Sequence, residues 1–249
     1  MKQNILFDLD DTLIYCNKYF NLVQDQFVDL MTDWFAPFGI GRGAIMDKHS
    51  ELDIAGVQSF GFKSDHFPQS FVDTYDYFSR LTGRAASQDE RLRLWRLGNS
   101  VYDHEVEPYP FMEETLLTLA AEGHRLHLYT GGDAIIQRRK IERMNLERFF
   151  EDRIYVRMHK NTDAMKDILK QGRFDEDRTW MIGNSLRTDV LPALECGIRA
   201  IYLKRDQEWA YNLLNIETPS SSAMLTLTEL NEVPPAIQQH IALLKPPGL

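Results

Sequence analysis

The first predicted element of the chain lies in the segment Ile5-Leu6-Phe7-Asp8-Leu9-Asp10-Asp11. Three consecutive apolar residues are followed at once by acidic residues. A short, continuous apolar run is typical of a strand that is buried on both faces of a parallel sheet, and the residues after it then form a loop at the carboxyl end of the strand. The segment therefore predicts a buried β-strand that delivers Asp8 and Asp10 to one edge of a sheet.

After Glu107-Pro108, short apolar runs alternate with segments of helical character. Strands are predicted at 126–129, 154–156, 179–182 and 200–203, with a weaker one near Leu225. Helices are predicted from Pro110 to just before Gly123, at 133–144, at 162–171 with Gly172 as its stop, at 189–196 closed by Gly197, and near 237–244. This alternation predicts an α/β fold, with a Rossmann-like parallel sheet covered by helices on both faces.

Between residues 17 and 104 the pattern is helical throughout. Apolar and aromatic residues recur every three to four positions, as in Tyr19, Val23, Phe27, Leu30/Met31, Trp34 and Phe38. Ser87-Gln88-Asp89-Glu90 has the pattern of a capping box at the start of a later helix. We therefore predict an all-helical cap domain, 16–105, inserted after the first strand of an α/β core that comprises 1–15 and 106–249.

Composition and charge exclude several classes of protein. Apolar residues make up 43% and charged residues 26% of the 249 residues, which is ordinary for a globular protein. A net charge of −9 disfavours general binding to nucleic acid or anionic membranes, and no apolar run is long enough to span a membrane. The amino terminus lacks the pattern of a signal peptide, and Cys16 and Cys196 suggest neither a disulfide framework nor a zinc site, so a cytoplasmic location is expected. Residues 246–249 are expected to be frayed, and the sequence makes no prediction of the oligomeric state.

Polar residues that suit phosphate chemistry follow four of the predicted strands. They are Asp8 and Asp10 after the first, Thr130, Gly131 and Gly132 after the second, Lys160 after the third, and Gly183, Asn184, Ser185 and Asp189 after the fourth. In an open α/β sheet ligands bind beyond the carboxyl ends of the strands, so these residues are expected to meet at one edge. Three carboxylates with one amide form a hard-oxygen set that suits Mg²⁺.

The same residues have the composition of a phosphoryl-transfer site. Asp8 could attack phosphorus as a nucleophile, because a bound Mg²⁺ would screen it from the anionic substrate. Asp10 could protonate the leaving alcohol and later take a proton from water. Thr130 and Lys160 would hold the equatorial oxygens of the phosphoryl group, and the Gly131-Gly132 pair would let backbone amides approach the anion.

The segment Phe7-Asp8-Leu9-Asp10-Asp11-Thr12-Leu13 resembles the first signature of the haloacid dehalogenase-like hydrolase superfamily. Thr130 resembles the second signature, Lys160 the third and the segment 183–189 the fourth, in the family's order and spacing over about residues 5–205. The resemblance implies that Asp8 is the nucleophile and Asp10 the general acid/base. It also implies a Mg²⁺ ion held by Asp8, the backbone carbonyl of Asp10 and Asp189, with Asn184 beside it.

Two positions depart from the family pattern. Lys160 is followed by Asn161, where the family often has proline, which changes the stiffness of the loop more than its chemistry. Asn184 stands where the family often has aspartate. The site then carries one negative charge fewer, which predicts weaker binding of Mg²⁺.

Within the family, the position of Asp10 differs between reaction classes. By resemblance, dehalogenase members have Tyr there and phosphonate hydrolases have Ala, so Asp10 favours phosphate esters as substrates. We therefore predict a Mg²⁺-dependent phosphatase that acts on a small phosphorylated metabolite through an aspartyl-phosphate. Tyr15 and Asn17, which follow the first signature, are predicted to contact the substrate together with Gly131. The alternatives are a phosphomutase or dehalogenase of the same fold, and a non-catalytic phosphate-binding or regulatory protein.

A simple structural explanation is preferred for two further patterns. The run Gln137-Arg138-Arg139-Lys140 is interpreted as an exposed basic helix face, and the aromatic series at 17–38 as the core of the helical domain.

Overall fold

A computed structural model describes residues 1–213 and 221–243 of the protein. The chain divides into two compact units, one formed by Met1–Tyr15 with Val106–Leu249 and the other by Cys16–Glu105. Leu244 and residues 246–249, for which a helix end and a frayed terminus are predicted, lie outside the described residues. Within the described ranges, none of the helices combines the length and the apolar character that crossing a bilayer requires.

The first unit is built on a parallel sheet, whose described part has six strands. They are β1 (Asn4–Phe7), β2 (Arg125–Gly131), β3 (Ile154–Arg157), β4 (Thr179–Gly183), β5 (Arg199–Leu203) and β6 (Met224–Leu227). Their order across the sheet is β3-β2-β1-β4-β5-β6, and every neighbouring pair is parallel. The order reverses direction at β1, so β1 lies between β2 and β4. This is the Rossmann-like sheet that the sequence predicts, and the weak strand near Leu225 is its edge.

Strand β1 shows why the first apolar run has no polar residue in it. Ile5 and Phe7 pack into one hydrophobic cluster, while Leu6 packs into a second cluster. All three side chains are fully buried, since helices cover both faces of the sheet. Each buried side chain of this size contributes roughly 1.5–3 kcal/mol to folding.

The Cys16–Glu105 unit is helical and is described throughout. Its helices are α1 (Asn17–Phe35), α2 (Arg42–Phe60), α3 (His66–Thr82) and α4 (Gln88–Asn99). The aromatic series of α1 forms its core as predicted: the rings of Phe27 and Phe71 stack with centroids 4.1 Å apart, and Phe35 packs on Tyr75. Half of the capping box predicted for α4 is present: the Ser87 hydroxyl accepts from the backbone N–H of Glu90, but the backbone N–H of Ser87 donates to the Tyr75 hydroxyl and not to the Glu90 carboxylate.

A buried histidine is held within this core in one tautomer. His49 is 1% exposed, and its Nδ1 lies 2.8 Å from the side-chain amide nitrogen of Gln24, which can only donate. The hydroxyl of Ser70 donates to the carbonyl of Phe67, so it accepts from His49 Nε2 at 2.9 Å. Burial lowers the pKa of His49 to about 3, and the nearby imidazole of His66 acts in the same direction. His49 is therefore a neutral structural residue.

The other α-helices among the described residues belong to the first unit. They are α5 (Met112–Ala121), α6 (Ala134–Arg143), α7 (Glu147–Phe150), α8 (Thr162–Gly172), α9 (Leu191–Glu195), α10 (Ala210–Leu213) and α11 (Val233–Leu243).

Two local predictions need correction. The helix predicted at 189–196 begins earlier, with a π-helical turn, Leu186–Val190, that continues into the short helix α9; the carboxylate of Asp189 turns back to accept from the backbone N–H of Ser185. Gly172 is not the left-handed stop after α8, since that conformation belongs to Arg173, with φ of +50°. Gly172 instead leaves room for the Phe174 ring, which would lie 2.1 Å from a Cβ atom at that position.

Candidate active site

The residues predicted to carry the chemistry lie at the carboxyl edge of the sheet in the first unit. Asp8 follows β1 directly, and its backbone N–H donates to the carbonyl of Ile182 in β4 at 2.9 Å. Thr130 belongs to β2, one residue before its end, so it lies inside the strand rather than after it. Because β3, β2, β1 and β4 are neighbours in this order, four adjacent strand ends supply the site, with Lys160 following β3.

Asp8, Lys160 and Asp189 form a buried charged cluster. The ammonium of Lys160 lies 2.7 Å from Asp8 Oδ1 and 2.5 Å from Asp189 Oδ1, and it also donates to the backbone carbonyl of Tyr129 at 3.2 Å. The three charged residues are only 6%, 7% and 1% exposed, respectively. One cation therefore joins two carboxylates that come from different strands.

The charge of this cluster does not balance. Burial raises the pKa of Asp8 to about 7; the cation of Lys160 opposes this shift and the carboxylate of Asp189 reinforces it. Burial by itself would lower the pKa of Lys160, but attraction to Asp189 and Asp8 outweighs it and raises that pKa above its ordinary value. With Asp8 and Asp189 both ionised, the cluster would carry more negative charge than Lys160 neutralises, and a further cation would stabilise this ionised form.

Thr12 connects Asp8 to Asn184. The Thr12 hydroxyl lies 2.9 Å from Asp8 Oδ2 and 3.4 Å from Asn184 Oδ1, and it accepts from the backbone N–H of Asn184 at 3.1 Å. The loop reaches this position through Asp11, whose φ is +55°. The sequence analysis did not predict Thr12 as a site residue. Its place in the first signature segment, Phe7–Leu13, is the feature of the sequence that could have identified it.

Gln137, which is predicted to lie on an exposed helix face, links Asp10 to the predicted phosphate-binding residue Thr130. The side-chain amide of Gln137 donates to Asp10 Oδ2 at 2.8 Å and to Thr130 Oγ1 at 2.6 Å. Lys140 donates to Asp10 Oδ1 at 2.7 Å. The interpretation of 137–140 as an exposed face is therefore wrong for Gln137 and Lys140, because the side of α6 that carries them faces the carboxyl edge of β2.

The predicted role of the Gly131-Gly132 pair is wrong for one of its two amides. The backbone N–H of Gly132 donates to the carbonyl of Arg157 at 3.0 Å, so it serves the sheet rather than an anion. Gly131 is the last residue of β2 and pairs with Arg157 in the register. Glycine is needed at 132 for another reason: its φ is +140°, and a Cβ atom there would lie 3.1 Å from the side chain of Gln137.

Tyr15 and Asn17, the other predicted substrate contacts, belong to different units. Tyr15 is the last residue of the amino-terminal segment of the first unit, and the centroid of its ring lies 3.9 Å from that of Tyr109. Asn17 begins α1 in the helical unit. Arg205 also packs against Tyr109, with its guanidinium carbon 3.8 Å from the centroid of the Tyr109 ring. It donates to the backbone carbonyls of Asp11 and Thr12, and so anchors the loop that follows β1.

The donor set fits a hard divalent cation, although carboxylates alone do not form the site. Among the described residues no group of three or more His, Cys, Asp or Glu side chains is arranged to hold a metal. Asp8 and Asp189 would supply carboxylate oxygens and Asn184 an amide oxygen, and the resemblance to the family implies the backbone carbonyl of Asp10 as a further ligand. Such an oxygen set suits Mg²⁺, which keeps waters in its coordination shell. The excess negative charge around Lys160 agrees with it.

Comparisons with known proteins assign the family. A family model described as haloacid dehalogenase-like hydrolase matches residues 70–203, which is more than half of the chain and includes Thr130, Lys160 and Asp189. A glyceraldehyde 3-phosphate phosphatase of Methanocaldococcus jannaschii is 24% identical over 237 residues, covering 94% of this chain and 97% of that protein. One of the same name from Methanothermobacter thermautotrophicus is 25% identical over 221 residues, covering 83% of this chain and 87% of that protein.

The fold agrees with the same family. A solved structure of a haloacid dehalogenase-like family hydrolase from Xanthomonas campestris is 24% identical and has a TM-score of 0.79, covering 97% of this chain and 93% of that chain. The likeness supports the observed α/β fold, and the match of the family model includes Thr130, Lys160 and Asp189 but begins after the first signature segment, which contains Asp8. The chain therefore belongs to the haloacid dehalogenase-like hydrolase family.

Proposed function

We propose that this hydrolase is a Mg²⁺-dependent phosphatase that removes phosphate from a small phosphomonoester through an aspartyl-phosphate on Asp8. The observation that carries the proposal is the buried cluster in which Lys160 joins Asp8 and Asp189, with Asp10 and Thr130 linked beside it. These are an acidic nucleophile, a cation and a second acid at the edge of one sheet. Phosphatase relatives support the same reaction class.

Asp8 is proposed as the nucleophile because its carboxylate is held from both sides. Lys160 binds one oxygen and Thr12 the other, which restricts rotation of the carboxylate. One oxygen forms a bond to phosphorus while the bond from phosphorus to the ester oxygen breaks. The cation of Lys160 reduces the repulsion between this carboxylate and the incoming phosphate.

Asp10 is proposed to move the protons. In the first half of the reaction its carboxylic acid gives a proton to the departing alkoxide, so the alcohol leaves neutral and Asp10 becomes a carboxylate. In the second half, a water oxygen attacks the phosphorus of the aspartyl-phosphate, and Asp10 takes a proton from that water. The bond between phosphorus and Asp8 breaks, inorganic phosphate is released, and both aspartates are regenerated.

Thr130 and Lys160 are proposed to hold the phosphoryl oxygens. Thr130 Oγ1 accepts from Gln137, so its own proton remains to be donated to another oxygen. Phosphoryl transfer concentrates charge on the equatorial oxygens, and donors placed there stabilise the transition state.

Asp8, Asp189, Asn184 and the backbone carbonyl of Asp10 are the residues proposed to hold Mg²⁺. When bound, the ion would neutralise negative charge shared by the phosphate and the nucleophile. Asn184 in place of a third carboxylate lowers the negative charge of this set, so we expect modest affinity.

The substrate class is proposed from the relatives and from chain organisation. The relatives named above are glyceraldehyde 3-phosphate phosphatases, which makes three-carbon phosphorylated aldehydes and alcohols the first compounds to test. Residues 16–105 are proposed to act as the cap domain, with Tyr15, Asn17 and Gly131 as substrate contacts. We further propose a cytoplasmic location.

The proposal is tested by measuring inorganic phosphate released from a panel of small phosphomonoesters. The wild type is expected to need Mg²⁺ and to lose activity with EDTA, and Asp8→Asn is expected to be inactive. Asn184→Ala serves as a comparison that retains the nucleophile. Turnover that survives in Asp8→Asn would refute the nucleophile, whereas conversion without phosphate release would indicate a mutase.

A non-catalytic phosphate-binding protein is the second candidate, and Asn184 is the observation that favours it. Tight binding of phosphate with no turnover of any panel member would support this candidate. In that case Asn184→Asp is the first variant to assay, because it restores the carboxylate that the family often has.

A further inference from the structure

Two residues of helix α6 hold both oxygens of Asp10. Lys140 Nζ lies 2.7 Å from Asp10 Oδ1, and Gln137 Nε2 lies 2.8 Å from Asp10 Oδ2. The two residues are three positions apart, so they lie next to each other on one side of the helix. Each oxygen of the carboxylate therefore receives its own donor, and both donors come from the same rigid element.

Gln137 is built into the site rather than resting on it. It is 2% exposed, and its amide nitrogen also donates to Thr130 Oγ1 at 2.6 Å. A carboxylate can only accept, so the NH₂ group of the amide must face Asp10. Gly132 provides the space for this side chain, because a Cβ atom at 132 would lie 3.1 Å from Gln137 Cγ and Cδ.

The Lys140 contact is partly shielded from solvent. Its side chain is 19% exposed and that of Asp10 is 24% exposed. Helix α6 starts at a fixed point, since the Asp133 side chain caps it by accepting from the backbone N–H of Ile135 at 2.9 Å. The position of both donors relative to β2 thus follows from a capped helix of ten residues, Ala134–Arg143.

We propose that Gln137 and Lys140 are positioning residues that hold the carboxylate of Asp10 for the second half of the reaction, in which it takes a proton from water. The inference rests on the proposed function, because it assumes the aspartyl-phosphate on Asp8. Both contacts are donated to Asp10, so they orient it as an acceptor, which is the role that hydrolysis of the intermediate requires. Without them the carboxylate can rotate, and a proton acceptor that is misplaced by about 1 Å costs up to roughly 100-fold in rate.

The test separates the two halves of the reaction with p-nitrophenyl phosphate and Mg²⁺. The p-nitrophenolate group leaves readily without a proton, so the first half depends little on Asp10 and the second half depends on it fully. We compare wild type, Lys140→Met and Gln137→Met; both substitutions keep an unbranched side chain of similar length and remove the donor. Rapid-quench measurements give the burst of p-nitrophenolate and the amount of phosphoenzyme.

Both variants are expected to lower kcat by roughly 10- to 100-fold. The value of kcat/KM should change little, and a stoichiometric burst should appear as phosphoenzyme accumulates. Asp10→Asn, which removes the proton acceptor itself, should show the largest fall in kcat and the greatest accumulation of phosphoenzyme. Lys140→Arg should recover most of kcat, because it restores a donor to Asp10.

Arg138→Met is the matched control, since Arg138 is exposed on the same helix and its loss removes the same charge. It should behave like the wild type. A parallel fall of kcat and kcat/KM with no burst, or unchanged kinetics in Lys140→Met, would overturn the inference. If Gln137→Met fails to fold, as judged by thermal melting, Lys140→Met alone decides.

Failure of the proposed function has a different signature. If the wild type forms no phosphoenzyme and Asp8→Asn retains activity, the aspartyl-phosphate mechanism is refuted. If phosphoenzyme forms on Asp8 and Lys140→Met matches Arg138→Met, only the positioning role is refuted.

Discussion

A Cβ atom on Gly183 would lie 2.2 Å from Oδ2 of Asp189, which is closer than a Cβ atom approaches any heavy atom to which it is not bonded. Gly183 ends β4, and the carboxylate of Asp189 folds back over it to accept from the backbone N–H of Ser185. The absence of a side chain at 183 thus allows Asp189 to reach Lys160. In this way a backbone position in a strand determines where a charged group stands.

Gly183→Ala is expected to displace Asp189 and break its contact with Lys160. We expect the free energy of unfolding to fall by about 1–3 kcal/mol and phosphatase activity to fall in parallel, since both depend on the same cluster. Thermal melting and phosphate release measure the two effects. Gly43→Ala is the control: no atom lies within 4 Å of its Cβ position, and alanine in a helix should leave stability unchanged or raise it by up to about 1 kcal/mol. An undisturbed melting temperature in Gly183→Ala would contradict the steric argument.

Asn184→Asp is expected to tighten binding of Mg²⁺. The substitution adds a carboxylate beside Asp8 and Thr12, and a divalent cation gains from an additional negative oxygen ligand. Without Mg²⁺ the same change adds a like charge to a buried acidic cluster and should lower the melting temperature. Calorimetric titration and melting with and without Mg²⁺ check both signs, and an equal melting temperature under the two conditions would speak against a metal at this place.

Tyr129 offers a test of its ring and its hydroxyl separately. Its ring centroid lies 4.7 Å from Lys160 Nζ, while its hydroxyl is buried without a hydrogen-bond partner among the described residues. Burial raises the pKa of this hydroxyl to about 12, so it is neutral. Tyr129→Phe should therefore leave stability equal or higher by up to about 1 kcal/mol. Tyr129→Leu loses the ring beneath the ammonium and should cost roughly 1–3 kcal/mol, measured by urea unfolding. Equal losses in both variants would show that the hydroxyl has a partner after all.

His49 is expected to make the stability depend on pH. Its pKa is about 3 in the folded protein and about 6.5 when unfolded, so the unfolded state binds the additional proton between these values. This contribution to stability is complete above pH 6.5 and is lost as pH falls from 6.5 towards 3.

The measurement compares wild type with His49→Gln, which does not titrate. Between pH 7 and pH 5, unfolding in urea should show that the wild type loses about 2 kcal/mol more than the variant. An identical loss in both proteins would mean that His49 accepts a proton inside the folded core.

The sequence alone was sufficient for the family and for the parallel sheet. Continuous apolar runs such as 5–7 and 179–182 predict strands buried on both faces, and an acidic pair after the first run predicts the chemical edge. These are local signals, because strand burial and the order of motifs along the chain leave a direct trace in residue type. The prediction of a haloacid dehalogenase-like hydrolase is confirmed by the family model and by the fold. The site roles of Asp8, Asp10, Thr130 and Lys160 stay predictions until the variants are assayed.

Only the tertiary structure decided which polar residues face the site. Gln137 and Arg138 are adjacent and both polar, yet one is buried against Asp10 and Thr130 and the other is exposed, because the rotation of α6 relative to β2 is set by packing. The need for glycine at 132, 172 and 183 could not be predicted from the sequence either. Each of these glycines makes room for a side chain, and the position of that side chain depends on the folded backbone. Sequence carries the residues that can do the chemistry, whereas the distances between strands and helices determine which of them meet.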